Sequence, residues 1–569
     1  MKSKLFIVCY FFLLSTLNVF SQNLERIGDD KIITASGSVG LNFSYYGISG
    51  MEARYRPIDY SLLGSFTVTL FGIAFPFSAT ISEQNRNFIQ PFNQYGVSPK
   101  YKWITAHAGW RSLNYSPFTL SGHTFLGGGI DLNPGIFRFG AMYGRFLKAT
   151  IGDSNISHTI TPTFERKGYA VKVGLGSPSD YCDLIFLKAS DDLNSIDATY
   201  LDKIDSLNVL IKPAENMVLG LTGRFSPFTF LSFDIDGAAS LYTIDTRASP
   251  LSDFDSTGSN FGNAGILKQF KSIFNVRTST QFTTAFQSAV TFRGQGFSLR
   301  LAYKRIDPDY KSMGIYYMES DVENITLSPN ISLFNNLLRV GGSIGIQYDN
   351  LMNTKLNTSQ RVIGSFDISH QQQIYGIDLR YSSYGITQTR GMNPVIDSIK
   401  ISRVNHNFNS VFRYTIASAS SVHNILLMGG YQTLVDLNAK TAGNTETQNI
   451  TATLTYQSTL IQSGLSYGIN INAVQSTMAN SKNLFIGPIL QANISLPPFS
   501  IGGSAGYQLQ NVNGQSSGAT TTATIQSSYQ LSNSHTLRFD VNLINSNLTG
   551  TGNPNFTEYR SSFGYMYNF

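Results

Sequence analysis

The short motif with the clearest catalytic potential is Gly-x-Ser-x-Gly, which surrounds the nucleophile of many serine hydrolases. It occurs twice, at residues 341–345 (Gly-Gly-Ser-Ile-Gly) and 502–506 (Gly-Gly-Ser-Ala-Gly). A hydrolase needs this serine on a sharp turn between a strand and a helix. Both copies instead lie where apolar and polar residues alternate with the two-residue period of a strand. We therefore predict no catalytic role for Ser343 or Ser504. Triads can nevertheless assemble from distant strands, so an outer-membrane hydrolase stays an alternative.

The residues that could bind a metal ion are scattered along the chain. No two of the histidines have the spacing of a zinc site on one element; they are His107, His123, His158, His370, His406, His423 and His535. Residues 253–258 (Asp-Phe-Asp-Ser-Thr-Gly) resemble the first half of a calcium loop, but Ala264 occupies the place of the bidentate glutamate. We predict a polar loop there, and no metal or cofactor.

The elements that would position such residues have an unusual composition. Charged residues make up 13% of the chain, whereas about 25% is typical of soluble domains. Residues 297–304 show the recurring pattern, because Phe297, Leu299 and Leu301 alternate with polar residues. Strands that are apolar on one face and polar on the other suit a barrel surrounded by lipid. The net charge of +6 is spread thinly, and the lack of a Lys/Arg cluster argues against nucleic-acid binding.

The last strand carries the most specific signal. Over residues 556–569, Tyr559 and Phe563 begin an aromatic face that Tyr565, Tyr567 and Phe569 continue. This pattern resembles the closing strand of outer-membrane β-barrel proteins, of the large single-domain kind found in Bacteroidota-type bacteria. The resemblance implies contact with outer-membrane lipid. It also implies that the barrel-assembly machinery reads an assembly signal formed by Phe563, Tyr565, Tyr567 and Phe569.

The first residues have the pattern of a secretory signal peptide. Lys2 and Lys4 precede an apolar run over residues 5–20, and Val19 and Ser21 offer a small-residue cleavage site. We therefore predict a signal peptide over residues 1–21 and a barrel over residues 22–569. Cleavage would leave Cys182 as the remaining cysteine, which excludes an intramolecular disulfide.

The connections between the alternating segments are of two kinds. Short ones, such as residues 132–135 and 226–229, alternate with longer polar ones, such as residues 148–165 and 307–320. This alternation is typical of a transmembrane barrel with short periplasmic turns and long outer loops. The resemblance places both termini in the periplasm. We predict one all-β transmembrane antiparallel barrel of about 24 strands, within a range of roughly 20–26.

Two long segments lack barrel periodicity. They are residues 76–100, rich in Asn, Gln and Phe, and residues 246–278. A barrel of this size would leave a wide channel unless something filled it, since barrels of about 16–18 strands already conduct. We therefore predict that these two segments fold inward and constrict the lumen.

The polar strand face carries both signs of charge. The candidates for lining the lumen are Asp234, Asp236, Arg300, Lys304, Arg339, Asp378, Arg380, Arg538, Asp540, Glu558 and Arg560. A strongly selective pore would show rings of a single sign, whereas opposite charges on neighbouring strands pair across a sheet. We interpret the mixture as cross-strand pairing rather than as an ion filter.

Three functions are compatible with such a barrel. The first is a channel or transporter that passes solutes or polymers across the outer membrane of a Gram-negative bacterium. The second is a scaffold subunit of an envelope secretion or assembly complex, with protein partners on its loops or turns. The third is the outer-membrane hydrolase, for which no convergent acid–base set is visible. We therefore expect a non-enzymatic function.

Overall fold

The structure is a computed structural model. It describes residues 33–70, 73–82, 94–150, 162–197, 211–250, 274–391, 396, 400–549 and 555–569. The predicted signal peptide over residues 1–21 lies outside the described residues.

Twenty-six strands form the wall of one closed barrel. The first half consists of β1 (Ile33–Ser49), β2 (Ile58–Leu70), β3 (Ile73–Ser82), β4 (Gln94–Val97, continued by Lys100–Tyr101), β5 (Ile104–Asn114), β6 (Leu120–Leu132), β7 (Phe137–Leu147), β8 (Glu165–Gly176), β9 (Tyr181–Asp192), β10 (Glu215–Phe228), β11 (Leu231–Thr243), β12 (Thr280–Gly294) and β13 (Phe297–Ile306). The second half consists of β14 (Val322–Leu333), β15 (Leu338–Tyr348), β16 (Asn357–Gln371), β17 (Tyr375–Arg390), β18 (Ser402–Ala417), β19 (Ser421–Asp436), β20 (Thr447–Leu460), β21 (Leu465–Met478), β22 (Ser481–Leu496), β23 (Phe499–Val512), β24 (Gln515–Gln530), β25 (His535–Leu548) and β26 (Phe556–Asn568).

The barrel closes because β1 pairs with β2 on one side and with β26 on the other, both antiparallel. In the closing register Phe43 lies opposite Phe563, and Leu41 lies opposite Tyr565. Each wall strand pairs antiparallel with its neighbours in the sequence, which confirms the predicted fold class. The strand number is even and lies at the upper end of the predicted range.

The two faces of the wall differ in the way that the alternation predicts. In β13 the side chains of Phe297, Leu299 and Leu301 are 45%, 40% and 51% exposed. The side chains between them, such as Arg300, lie on the opposite face, which is the face that packs against other parts of the chain. A closed sheet with its large apolar side chains exposed on one face is the arrangement of a barrel embedded in lipid. We refer to the opposite face as the inner face.

The connections sort by length and by end of the barrel. Those that follow even-numbered strands are two to four residues long, for example residues 229–230 between β10 and β11. Those that follow odd-numbered strands include all the long loops, for example residues 193–214 between β9 and β10. The predicted alternation of short and long connections is therefore confirmed. Other regular structure is brief: a 3₁₀ turn at Leu193–Ser195, a helical turn at Ala442–Thr445 and a short strand at Gly314–Ile315. No helix in the described ranges is long and apolar enough to cross a membrane.

The structure corrects the first of the two predicted inward segments. Residues 76–82 belong to β3, which pairs with β2, and residues 94–97 pair with β3 and β5. The wall strands here were missed because both pieces are short and flank the Asn- and Gln-rich residues 84–93, which have no alternation. Residues 83–93 lie outside the described residues.

The second predicted inward segment is described only at its two ends. Phe274 is buried against Met217 and Leu241, and Met217 shares a strand face with the exposed Leu219 and Leu221. This end of the loop therefore covers the outer face. Residues 251–273 lie outside the described residues, so for them the inward position stays a prediction.

Candidate lumen and its inner segment

A different loop packs onto the inner face. Residues 307–321, which we call the inner segment, connect β13 to β14. The flanking side chains of Ile306 and Val322 are buried, and Tyr310 and Met313 of the segment join them in the largest buried cluster. The cluster also contains inner-face residues of β9 and β10, such as Leu187 and Val218. The sequence predicts a long outer loop here. The segment does belong to the end of the barrel with the long connections, but it folds onto the inner face because its apolar residues find a partner surface inside the barrel.

Backbone pairing fixes the position of the inner segment. Gly314 and Ile315 pair in parallel with Leu120 and the residues that follow it at the start of β6. A Cβ atom on Gly314 would collide with the carbonyl oxygen of Thr119. Glycine is therefore needed for this close approach of two backbones.

Buried hydrogen bonds add to this pairing. The Tyr310 hydroxyl donates to the Phe118 carbonyl oxygen over 2.7 Å, and the Met313 amide donates to Asn216 Oδ1 over 2.9 Å. Ser240 Oγ donates to the Lys311 carbonyl oxygen over 2.7 Å. Burial raises the pKa of Tyr310 above its ordinary value, so the hydroxyl keeps its proton and stays a donor. These hydrogen bonds offset the cost of removing the polar groups from water.

Ion pairs anchor the C-terminal end of the inner segment. Arg361 Nη1 donates to Glu319 Oε1 over 2.9 Å. Asp321 contacts the Lys355 ammonium and accepts from the backbone amides of Asn350 and Leu351. Burial alone would raise the pKa of Asp321, but the hydrogen bonds from Lys355 and the two amides outweigh it and leave that pKa lowered.

Aromatic stacking completes the attachment. The ring of Tyr316 stacks on His123 with centroids 4.0 Å apart, and its hydroxyl accepts from the Thr124 amide over 3.1 Å. The neighbouring Tyr317 is 85% exposed. The inner segment is thus joined to β6, β10, β11 and β16 while presenting an exposed tyrosine.

The structure places all the predicted lumen-lining residues on wall strands, and three of them, Asp234, Asp236 and Arg300, belong to a dense polar network. Asp234 accepts from Arg224 Nε over 2.6 Å and from Arg300 Nη1 over 2.8 Å. Asp236 accepts from Thr222 Oγ1 over 2.5 Å and from Gln287 Nε2 over 2.8 Å. These contacts join β10, β11, β12 and β13 across the inner face.

The remaining candidates are less connected. Asp378 accepts from Gln371 Nε2 over 2.9 Å, and Asp540 accepts from Ser562 Oγ over 3.3 Å. Within the part of the chain that the structure describes, no ion pair joins these carboxylates to Arg380 or Arg538. The other candidates for lining the lumen are Lys304, Arg339, Glu558 and Arg560. The predicted cross-strand pairing therefore occurs at Asp234 but not around Asp378 or Asp540.

The predicted assembly signal lies on β26. Phe563 is 45% exposed, and Phe569 stacks on Tyr567 with centroids 5.2 Å apart. The hydroxyl oxygen of Tyr565 lies 2.6 Å from His535 Nδ1. These aromatics form one continuous row at the closing seam of the barrel.

One constellation of hydrolase residue types does come together. Ser98 Oγ lies 2.9 Å from His107 Nδ1, and His107 Nε2 lies 3.0 Å from Asp131 Oδ2. A triad also needs an oxyanion donor beside the nucleophile. The Ser98 amide is already donated to the Pro76 carbonyl oxygen, and Asp131 is shared with Lys172 at 3.8 Å. The sequence missed this set because its members lie on three separate elements.

The two Gly-x-Ser-x-Gly motifs lie within regular strands. Ser343 lies 2.7 Å from Ser365 Oγ, and Ser504 lies 2.7 Å from Thr524 Oγ1, both in mid-strand. No group of three or more His, Cys, Asp or Glu residues in the described ranges could hold a metal ion. The calcium-like residues 253–258 lie outside the described residues.

Comparison with known proteins gives only distant similarity. No protein-family model and no curated protein matches the chain. Among solved structures it is similar to Pseudomonas aeruginosa OpdQ, with 11% identity and a TM-score of 0.34 over 66% of this chain and 97% of that one. It is also similar to P. aeruginosa OccK10, with 10% identity and a TM-score of 0.32 over 62% and 93%. An outer-membrane channel from Pseudomonas putida F1 has 12% identity and a TM-score of 0.21 over 37% and 85%. At such TM-scores the function has to be argued from this chain's own geometry.

Proposed function

We propose that this protein is an outer-membrane channel whose lumen is narrowed by the inner segment. A circular barrel of 26 strands would be about 50 Å wide, from a strand spacing of about 4.8 Å and a tilt of about 40°. The observation that carries the proposal is that the inner segment packs along one part of this wall, with contacts from β6 to β16. A single segment of this length narrows such a lumen without filling it.

The position in the envelope belongs to the same proposal. The exposed apolar side chains would contact outer-membrane lipid, and the aromatic row on β26 would engage the barrel-assembly machinery. We propose periplasmic termini, because β1 begins and β26 ends on the side of the short connections. Assignment to the Bacteroidota type rests on the single-domain sequence pattern. The lumen-lining role of the charged candidates follows from their place on the inner face.

The hydrolase is the second candidate function, supported by Ser98, His107 and Asp131. It is less well supported because the Ser98 amide is occupied, and an acyl-transfer site needs donors for the oxyanion. The scaffold alternative has no contact in the described residues that favours it over a channel.

Conductance of the purified, refolded full chain in a planar bilayer tests the channel. Stable single-channel openings are expected, and they should become larger when the inner segment is released by replacing Tyr310 and Met313 with serine. The matched control replaces the exposed Tyr317 with serine and should conduct like the wild type. An electrically silent barrel that co-purifies with other envelope proteins would contradict the channel and favour the scaffold.

A further inference from the structure

We propose that the inner face of β20–β24 binds uncharged, hydroxyl-rich solutes of the chemistry and size of short neutral oligosaccharides. This assignment rests on the proposed channel function and names the substrate class of that channel.

The first observation is the distribution of charge. From Thr447 at the start of β20 to Leu537 in β25, Lys482 is the one Asp, Glu, Lys or Arg residue in the sequence. The charged inner-face networks lie elsewhere, around Asp234 on β11 and around Asp321 before β14. The lumen therefore has a charged side and a neutral side.

The second observation is a cavity of about 310 Å³ on the neutral side. Its lining includes the inner-face side chains of Gln457, Gln491, Asn493, Ser504, Thr524 and Gln526. The register places Gln491 opposite Ser504, and Ser504 opposite Thr524. Residues from four strands thus converge on one space, whose volume lies at the lower end of the range for small-molecule sites.

The third observation is that four of these side chains have no hydrogen-bond partner in the described part of the chain. Ser504 and Thr524 bond to each other. In contrast, the side-chain amides of Gln457, Gln491, Asn493 and Gln526 make no hydrogen bond to the described part of the chain. Each amide offers two donors and an acceptor. The cavity therefore presents both kinds of hydrogen-bonding group without a fixed charge.

Small residues also line the cavity. Gly502 and Gly503 of β23 and Ala492 of β22 line it. A Cβ atom on Gly502 would approach Asn493 Oδ1 at 2.9 Å. Glycine therefore leaves the Asn493 amide room to reorient towards a solute.

This chemistry favours a neutral polyol over an ion. A sugar hydroxyl donates and accepts at once, as the amides do. At roughly 3.3 Å per residue, Lys482 lies about 30 Å along β22 from Gln491, several Debye lengths away. On the next strand, Asp540 is aligned with Gln526, and Arg538 is aligned with Ser528. These two inner-face charges have opposite signs and together favour neither an anion nor a cation, and the Asp540 carboxylate can accept from a sugar hydroxyl.

In the proposed channel the cavity would also lie on the solute's path. In a ring of 26 strands, β23 stands opposite β10, and β10 carries the Asn216 contact to the inner segment. The neutral wall therefore faces the inner segment across the remaining lumen, so solutes that pass the constriction meet the amides.

The test uses the refolded full chain and three trisaccharides of similar size: neutral maltotriose, anionic trigalacturonate and the cationic trimer of glucosamine. Maltotriose is expected to interrupt the single-channel current, and the charged sugars at equal concentration are not. Replacement of both Gln491 and Asn493 by alanine should weaken maltotriose binding about tenfold, from the loss of two hydrogen bonds. Gln508→Ala, on the same face of β23 but outside the cavity, is the matched control. Each variant is checked for folding by comparing the electrophoretic mobility of heated and unheated samples.

The outcomes separate the two proposals. Conducting channels that do not respond to maltotriose, or a double variant that binds as the wild type does, would overturn the neutral-sugar site and leave the channel intact. A silent barrel that still binds maltotriose by calorimetry would support the site and contradict the channel. A response to the glucosamine trimer alone, abolished by Asp540→Asn, would overturn the neutral preference.

Discussion

The hydroxyl of Tyr310 donates a 2.7 Å hydrogen bond to the carbonyl oxygen of Phe118, a residue 192 positions earlier in the chain. This bond ties the middle of the inner segment to the connection between β5 and β6. Both groups are buried, so neither can turn to water. The inner segment is therefore anchored to the inner face of the barrel wall.

We expect Tyr310→Phe to loosen the inner segment. The substitution leaves the Phe118 carbonyl oxygen buried without this donor, at a cost of about 1–3 kcal/mol. Hydrogen–deuterium exchange of residues 307–321 should become faster, and open-channel current noise should rise. Tyr317→Phe removes a hydroxyl from an 85% exposed side chain and should change neither. Equal exchange in both variants would contradict the anchoring role of Tyr310.

Gly314→Val should displace the inner segment more strongly than any side-chain deletion. The added atoms meet the Thr119 carbonyl oxygen, which is backbone and cannot move aside. Single-channel conductance should increase. Gly443→Val, at a position with no atom near its Cβ, serves as the control. Unchanged conductance in a folded Gly314→Val barrel would show that the segment does not narrow the pore.

The contact between Asp321 and Lys355 predicts a response to acid. The pKa of Asp321 is lowered from its ordinary 3.8, so its stabilising contribution is fully present above that pH. That contribution is lost as the pH falls further, through the folded-state pKa. Protection of residues 307–321 from hydrogen exchange should therefore be constant from pH 7 to about pH 5 and fall only in stronger acid.

Asp321→Asn provides the control for that titration. It should show weaker protection at neutral pH and a smaller change on acidification. If the wild type and Asp321→Asn have the same pH profile, another group governs the response.

Asp234→Asn should shift ion selectivity. The carboxylate pairs with both Arg224 and Arg300 on neighbouring inner-face positions, so its loss adds one net positive charge and leaves both arginines without this partner. The reversal potential in a salt gradient should move towards anion preference, and more at low than at high ionic strength. Asp234→Glu keeps the charge and should behave like the wild type. A reversal potential that does not move would place Asp234 away from the ion path.

Ser98 should not react as a catalytic nucleophile. Its amide is donated to Pro76, so a fluorophosphonate probe would find no assembled oxyanion site. Labelling of the refolded protein should equal that of Ser98→Ala. Labelling that disappears in Ser98→Ala and His107→Ala would favour the hydrolase instead.

The local pattern of apolar and polar residues determined much of this protein's fold. The alternation in segments such as residues 297–304 is enough to predict strands, because a two-residue period separates the two faces of a sheet. The aromatic row ending at Phe569 and the alternation of short and long connections predict a membrane barrel for the same local reasons. The charge-free stretch around Lys482 is also readable in the sequence, although its meaning depends on a closed barrel that brings its strands together.

Tertiary structure alone decided what occupies the lumen. Residues 307–321 have the polar ends and length of an outer loop, and nothing local shows that Tyr310 and Met313 will be buried. Their partners, Phe118 and Asn216, lie 192 and 97 positions away in the sequence, and only the folded sheet brings them together. The Ser98–His107–Asp131 contacts need only the pairing of three consecutive strands, but the register that aligns them is also set by the folded sheet. Burial and long-range hydrogen bonds depend on which surfaces the closed barrel brings together, and periodicity along the chain carries no record of that.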